Sequence, residues 1–253
     1  VCTLILAWQV FEDAPIAVAA NRDELLDRPA RPPAVVEESP RVVAPRDEEA
    51  GGTWLGYNEH DLLVAITNRW MRHPTDGERS RGLLVRDALR QESAWDARTL
   101  VRAELGAKTY QPFHLVLADR EDCFLLAWDG RLRVREFDPG VHVVVNVGWD
   151  GDYFVPEQRP EIGVEQAAAA DRIRHEIEPR EGETAAEWTD RARAILADHE
   201  WGRCIHEDDF GTRSSSVIRL GEDAVFEHAD GPPCVTPFRR VDVEETGDEE
   251  GEV

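Results

Sequence analysis

Two apolar runs open the chain, Val1 to Trp8 and Pro15 to Ala20, with only the short polar break Gln9 to Ala14 between them. Each run has the length of a strand, and the break has the length of a turn, so the pattern predicts a buried β-hairpin. The second run ends abruptly in four polar or charged residues, Asn21-Arg22-Asp23-Glu24. In an antiparallel hairpin the start of one strand lies beside the end of the next. Cys2, Arg22 and Asp23 are therefore expected together at one rim of a sheet.

A cysteine beside a chain terminus has a particular chemical use. Once the residue before it is removed, Cys2 carries a thiol and a free α-amine, with ordinary pKa values near ~8.5 and ~7.7–8.0, matched for proton transfer at neutral pH. The amine then serves as base for its own side chain. Arg22 is expected to lower the thiol pKa by favouring thiolate, and Asp23 to orient Arg22 or to bond the α-ammonium. Val1 is read as a GTG start codon taken literally, with methionine as the true first residue and readily removed before a small residue.

The blocks Cys2, Asn21-Arg22-Asp23-Glu24, Gly51-Gly52-Thr53-Trp54-Leu55-Gly56, Thr67-Asn68 and Gly211-Thr212-Arg213-Ser214-Ser215-Ser216 occur in this order along most of the chain. They resemble the NRDE-motif family, also called the transport and Golgi organisation family. That family in turn resembles the N-terminal-nucleophile hydrolases of the choloylglycine hydrolase and penicillin acylase type. The resemblance implies an α+β fold, a four-layer α-β-β-α sandwich of two antiparallel sheets. It also implies roles for residues. Cys2 is the nucleophile, Arg22, Asp23 and Arg213 hold the charges, and Asn68 and Asn146 stabilise the oxyanion. Asn21, Thr53, Trp54 and Ser214 are expected to line the substrate site. The Gly51-Gly52 pair precedes a strand facing the active-site sheet.

Charge narrows the partners. The net charge of −23 argues against nucleic acid and anionic membrane surfaces, which need a basic face. Lys108 is the only lysine, and Asp and Glu are dispersed along the chain. Dispersed acidity with lysine nearly absent predicts adaptation to a salt-rich cytosol, where high salt screens the mutual repulsion. No stretch approaches the ~20 apolar residues of a membrane span, and residues 1–20 lack the basic start of a signal peptide. The expected location is therefore cytoplasmic. Among Cys2, Cys123, Cys204 and Cys234 there is no C-x-x-C pair, and no His–Cys spacing that suits zinc, so no metal site is expected. Cys123 and Cys204 lie in apolar runs and read as buried small hydrophobes. His206 lies near Arg213 in sequence but reads as a structural histidine.

Along the chain, the proline-rich stretch Arg28 to Pro40 is expected to be extended and loop-like. Helices are expected from Ser80 to Gln91, from the cap Ser93 to about Leu105, from Gly163 to Ile177, and from Thr184 to His199, the last with a Thr184/Glu187 capping box. Four strands between Phe113 and Val147 read as one antiparallel meander. Residues 1–243 are expected to form one domain, and 244–253 an acidic, disordered tail.

Two functions follow from the resemblance. In the first, Cys2 attacks an amide, ester or thioester of a small molecule, with no cofactor. In the second, the protein is a non-catalytic carrier of a hydrophobic ligand, haem or a lipid or acyl-CoA, because eukaryotic members of the family have been linked to haem mobilisation, lipid and acyl-CoA metabolism and Golgi organisation.

Overall fold

In the computed structural model, residues 2–71, 77–201 and 204–243 are described. The expectations for Val1 and for the acidic tail lie outside them. The opening hairpin forms as expected. β1 (Thr3–Trp8) pairs antiparallel with β2 (Ile16–Leu25), with Thr3 opposite Asn21 and Trp8 opposite Ile16. The apolar runs explain its position: Leu4, Leu6, Trp8, Ile16 and Val18 point to one face and Ile5, Ala7, Ala17 and Ala19 to the other, all buried. A strand apolar on both faces must be covered on both sides.

β3 (Ala30–Glu38) departs from the loop expected there. It pairs with β4 (Arg41–Asp47), but at the outer edge of a sheet, and its register slips between Arg31 and Ala34, around Pro32 and Pro33. Prolines lack the N–H needed inside a ladder, and an edge strand with a bulge tolerates them. β5 (Leu55–Asn58) and β6 (Leu63–Asn68) follow, then α1 (Arg81–Ala88) and α2 (Ala94–Ala107), N-capped by the Ser80 and Ser93 side chains. α2 ends at Ala107, two residues beyond the expected Leu105.

β7 (Phe113–Ala118), β8 (Cys123–Trp128) and β9 (Leu132–Glu136) make a meander. The expected fourth member does not join it. β10 (Gly140–Val145) crosses to the other sheet and pairs with β1. Spacing alone cannot register a strand that changes sheets. The short β11 (Gly148–Trp149) and β12 (Asp152–Tyr153) follow, then α3 (Pro160–Glu176) and α4 (Ala185–Ala197), whose Thr184/Glu187 capping box is present. β13 (Phe210–Leu220), β14 (Val225–Ala229) and β15 (Arg239–Arg240) complete the described elements.

The strands form two antiparallel sheets, ordered β12-β11-β10-β1-β2-β13-β14-β15 and β3-β4-β5-β6-β7-β8-β9. One apolar cluster lies between them, joining Leu4, Leu6 and Val18 to Leu55, Leu63 and Val116. A second packs the first sheet against α3 and α4, and a third packs the other sheet against α1 and α2. The result is the four-layer α-β-β-α sandwich. At ~1.5–3 kcal/mol for each large apolar side chain removed from water, the inter-sheet layer is the main tie between the two halves. The Trp8 indole N–H donates across it to the Asp119 carbonyl at 2.8 Å, so this indole is buried with its donor satisfied.

Candidate active site

Strand alternation decides which side chains meet. Leu4 faces the inter-sheet layer, and so does Cys2, two residues before it; from Ala20, so does Arg22. Cys2 is half-buried and lines a recess of about 30 Å³ with Ala20, Arg22, Trp54, Ile66 and Thr67. Its thiol points at the Asp23 main-chain carbonyl, 3.8 Å away. Burial, followed by the nearby Asp23 carboxylate, pushes the thiol above its ordinary pKa, and the opposing effect of Arg22 is smaller. Arg22 acts in the expected direction, toward thiolate, but desolvation outweighs a single neighbouring cation.

Arg22 is 8% exposed, and its guanidinium carbon sits over the Trp54 ring, 4.2 Å from the centroid. It and Trp54 form the wall shared by the recess and a larger cavity of about 310 Å³, within the usual range for small-molecule sites. Thr53, Asn68, Ser80 and Arg81 also line this cavity. Its arginines differ in what they hold. Arg28 is clasped by Asp47 at 2.7 Å, with Glu49 at 3.5 Å, and Arg79 by Asp87 at 2.5 Å, with Glu104 at 3.3 Å. Among the described residues Arg22 has Glu24 as its only ion-pair partner, at 4.0 Å, and Arg81 bonds the Pro112 carbonyl at 2.8 Å. Burial lowers the pKa of both Arg22 and Arg81, yet an arginine stays charged. Two incompletely neutralised guanidinium groups therefore face this cavity, beside the N-terminus of α1, where the helix dipole also favours an anion.

The Gly51-Gly52 turn makes that arrangement possible. Gly51 has φ +70°, and a Cβ on Gly52 would lie 2.2 Å from the Gly82 carbonyl carbon. Only glycine lets the strand approach the first turn of α1 closely enough for Thr53 N–H to bond Gly82 O at 3.1 Å.

The remaining expected residues divide. Asp23 sits on the opposite face of β2 from Arg22, and its carboxylate accepts the Thr212 hydroxyl at 2.7 Å. Asn21 is among the residues that line the Cys2 recess, and its side-chain amide donates to Leu196 O at 2.9 Å, which ties this end of β2 to α4. Thr53 lines the larger cavity while its hydroxyl donates to Leu55 O. Asn68 lines that cavity too, and Asn146 donates from Nδ2 to the Asn68 carbonyl at 2.6 Å while accepting from Gln166. Asn146 lines neither cavity, so its amide holds Asn68 in place. Arg213 occupies a bulge in β13, lines neither cavity and has no hydrogen-bond or ion-pair partner among the described residues. Ser214 lies opposite Arg22, with its hydroxyl buried and without a hydrogen-bond partner among the described residues.

Arg81 and Thr67 carry more weight than the sequence suggested. The Thr67 hydroxyl is buried with no hydrogen-bond partner among the described residues and lines the Cys2 recess, where it can donate to a carbonyl oxygen. The signal for Thr67 was its inward parity in β6. Arg81 offered none, since its position depends on the α1 approach. The structure also gathers side chains that spacing did not connect: ligand atoms of His199, Cys204, His206 and Cys234 all lie within 4.8 Å of one another. Cys204 is therefore part of a polar cluster and not a plain apolar filler, whereas Cys123 is a buried core residue.

Known proteins agree with this architecture. Residues 1–228 match the family described as Transport and Golgi organisation 2. A Bos taurus Transport and Golgi organization protein 2 homolog is 27% identical over 231 residues, covering 82% of this chain and 83% of that protein. Penicillin V acylase from Agrobacterium tumefaciens superposes with a TM-score of 0.61 at 14% identity, over 96% of this chain and 87% of its own. A cysteine-to-alanine variant of conjugated bile acid hydrolase from Clostridium perfringens gives 0.56 at 11% identity, over 100% and 95%. At these identities the two solved structures establish the fold.

Proposed function

The chain belongs to the Transport and Golgi organisation 2 family, and on that premise we propose that it is a cysteine-nucleophile hydrolase acting on an amide, ester or thioester of a small anionic molecule. The observation that carries this reading is the position of the Cys2 thiol, in a recess that shares the Arg22–Trp54 wall with a cavity faced by two incompletely neutralised arginines. When Cys2 begins the mature chain, its α-amine takes the thiol proton as sulfur attacks the substrate carbonyl. The carbonyl oxygen gains the electron pair, and the Thr67 hydroxyl is placed to donate to it, with Asn68 close by on the same strand. Collapse expels the amine, alcohol or thiol, which receives the proton held by the α-amine. The resulting thioester of Cys2 is then hydrolysed by water. Arg22 and Arg81 bind the substrate's carboxylate or phosphate, and Trp54 stacks against its apolar portion. Asn146, acting through Asn68, is a positioning residue. A preorganised oxyanion donor contributes on the order of 2.7–4 kcal/mol to such a barrier.

A second reading rests on the surroundings of the thiol, where burial and the Asp23 carboxylate disfavour thiolate in a site otherwise faced by arginines. On that reading the same cavity carries haem or an acyl-CoA without turnover. Hydrolysis of carboxylate-bearing amides and acyl thioesters by wild type and Cys2→Ala separates the two. The hydrolase reading requires turnover in wild type and none in a folded Cys2→Ala; turnover undiminished by the substitution refutes it. Haem or acyl-CoA binding equal in both proteins, without turnover, establishes carriage instead.

A further inference from the structure

We propose that His199, Cys204, His206 and Cys234 form a closed, four-ligand zinc site that staples the C-terminal end of α4 to the turn after β14. The ligands come from three separate segments. His199 follows α4, Cys204 and His206 flank Ile205 ahead of β13, and Cys234 lies in the turn after β14 where Val235 and Thr236 both donate to Pro232 O.

The geometry is close to one face of a tetrahedron. The Cys204 and Cys234 sulfurs are 3.5 Å apart, His206 Nε2 is 3.4 Å from the first and 3.2 Å from the second. Zn–S bonds of ~2.3 Å and Zn–N bonds of ~2.0–2.1 Å at tetrahedral angles imply edges of about 3.8 Å for S···S and about 3.6 Å for S···N. The three observed edges open by a few tenths of an ångström to admit the ion. His199 supplies the fourth corner. Its Nδ1 lies 3.1 Å from the Cys204 carbonyl, a bond that as donor fixes the tautomer and leaves Nε2 as the lone pair. The His199 and His206 rings are 5.0 Å apart, centroid to centroid.

Ligand chemistry selects the metal class. Two thiolates and two imidazoles in a tetrahedral arrangement suit Zn²⁺, and four protein ligands leave no open position, which marks a structural and not a catalytic site. On binding, the two thiols release two protons to solvent and the two imidazoles bind as neutral ligands, so the thiolates cancel the charge of the ion.

The site bears on the hairpin rim. Cys204 and His206 flank Ile205, whose N–H donates to the Thr212 hydroxyl at 2.9 Å while its carbonyl accepts from Thr212 N–H. That hydroxyl in turn donates to Asp23, whose main-chain carbonyl faces the Cys2 thiol. Fixing Cys204 and His206 to a metal fixes the strand that positions Asp23.

The test uses the full chain, purified under reducing conditions, stripped with chelator and reloaded with Zn²⁺ or Co²⁺ alone. About one equivalent of zinc per chain is expected, with the intense visible bands and thiolate-to-cobalt charge transfer of a tetrahedral Co²⁺ site. Cys234→Ser and His206→Ala, both outside the buried core, should each lower bound metal below about a tenth of an equivalent, with unchanged far-UV circular dichroism; His175→Ala, on the exposed face of α3, should bind as wild type. Metal content indifferent to Cys234→Ser, a cobalt spectrum without thiolate charge transfer, or a metal-free protein with Cys204 and Cys234 joined in a disulfide would each overturn the proposal.

Discussion

Acid should loosen the clamp beside the site through His114, and the amount can be worked from the structure. His114 is fully buried at the inter-sheet end of β7, where Nδ1 donates to Val145 O at 2.9 Å and Nε2 accepts from Arg69 at 3.0 Å. It thus ties β7 to the end of β10, one residue before Asn146. Burial, reinforced by the Arg69 charge, pushes its pKa down to about 3 from 6.5. The unfolded chain therefore binds a proton that the folded one refuses, and stability falls as pH drops from above 6.5 toward 3. At pH 5 the loss is about 2 kcal/mol, a value fixed by the distance between pH 5 and 6.5 so long as the folded pKa stays well below 5. Urea unfolding at constant salt, at pH 7.5 and pH 5, measures it. His228, buried and pushed down to about 4, acts in the same direction, so the diagnostic is the difference between proteins. His114→Gln should be less stable at pH 7.5 yet lose about 2 kcal/mol less than wild type between the two pH values. Equal losses in variant and wild type would refute the neutral, clamped histidine.

Other perturbations follow from the same geometry. Gly52→Ala drives a methyl to 2.2 Å from the Gly82 backbone, so overpacking should cost ~1–3 kcal/mol, seen as a melting temperature lower by several degrees, and push Arg81 away from Trp54; an unchanged melting temperature contradicts the close approach. Arg81→Gln should weaken binding of a carboxylate-bearing ligand by about 1.5–3 kcal/mol, roughly ten- to a hundredfold, and leave an uncharged analogue unaffected; isothermal titration of both reads it, and equal losses for the two ligands would rule out charge pairing. The carboxylate excess also has a local form: the Asp122 pKa is raised by burial and then by Asp119, Glu136 and Glu121. Salt should relieve such repulsion, so the melting temperature should rise steadily from dilute buffer to molar KCl, and a salt-independent melt would argue against adaptation to a salt-rich cytosol.

What the sequence disclosed was what local physics determines. The hairpin was legible because both faces of Thr3–Trp8 and Ile16–Ala20 are apolar, and Thr184 and Glu187 announced their helix because a capping box is complete within four residues. Pro32 and Pro33 obscured β3, since only the tertiary fact of an edge position makes them compatible with a strand. The move of β10 to the partner sheet was invisible because its spacing from β9 equals that of a meander. Within the site, Cys2 and Arg22 share a face by strand parity, whereas Asn21 and Asp23 take the opposite one by the same parity, which the clustered motif concealed. Arg81 enters through a glycine contact between distant segments, and the His199–Cys234 cluster through three loops, so neither has a local signature.

The central claim, that Cys2 is a nucleophile facing an anion-binding cavity, is tested most directly by intact-mass and peptide analysis of protein quenched during reaction with a carboxylate-bearing acyl thioester. The account predicts a chain beginning at Cys2 and carrying one acyl group on that residue, with no adduct on Cys2→Ala. A chain that retains a residue before Cys2, or one that turns over substrate with no acyl group ever on Cys2, would contradict it.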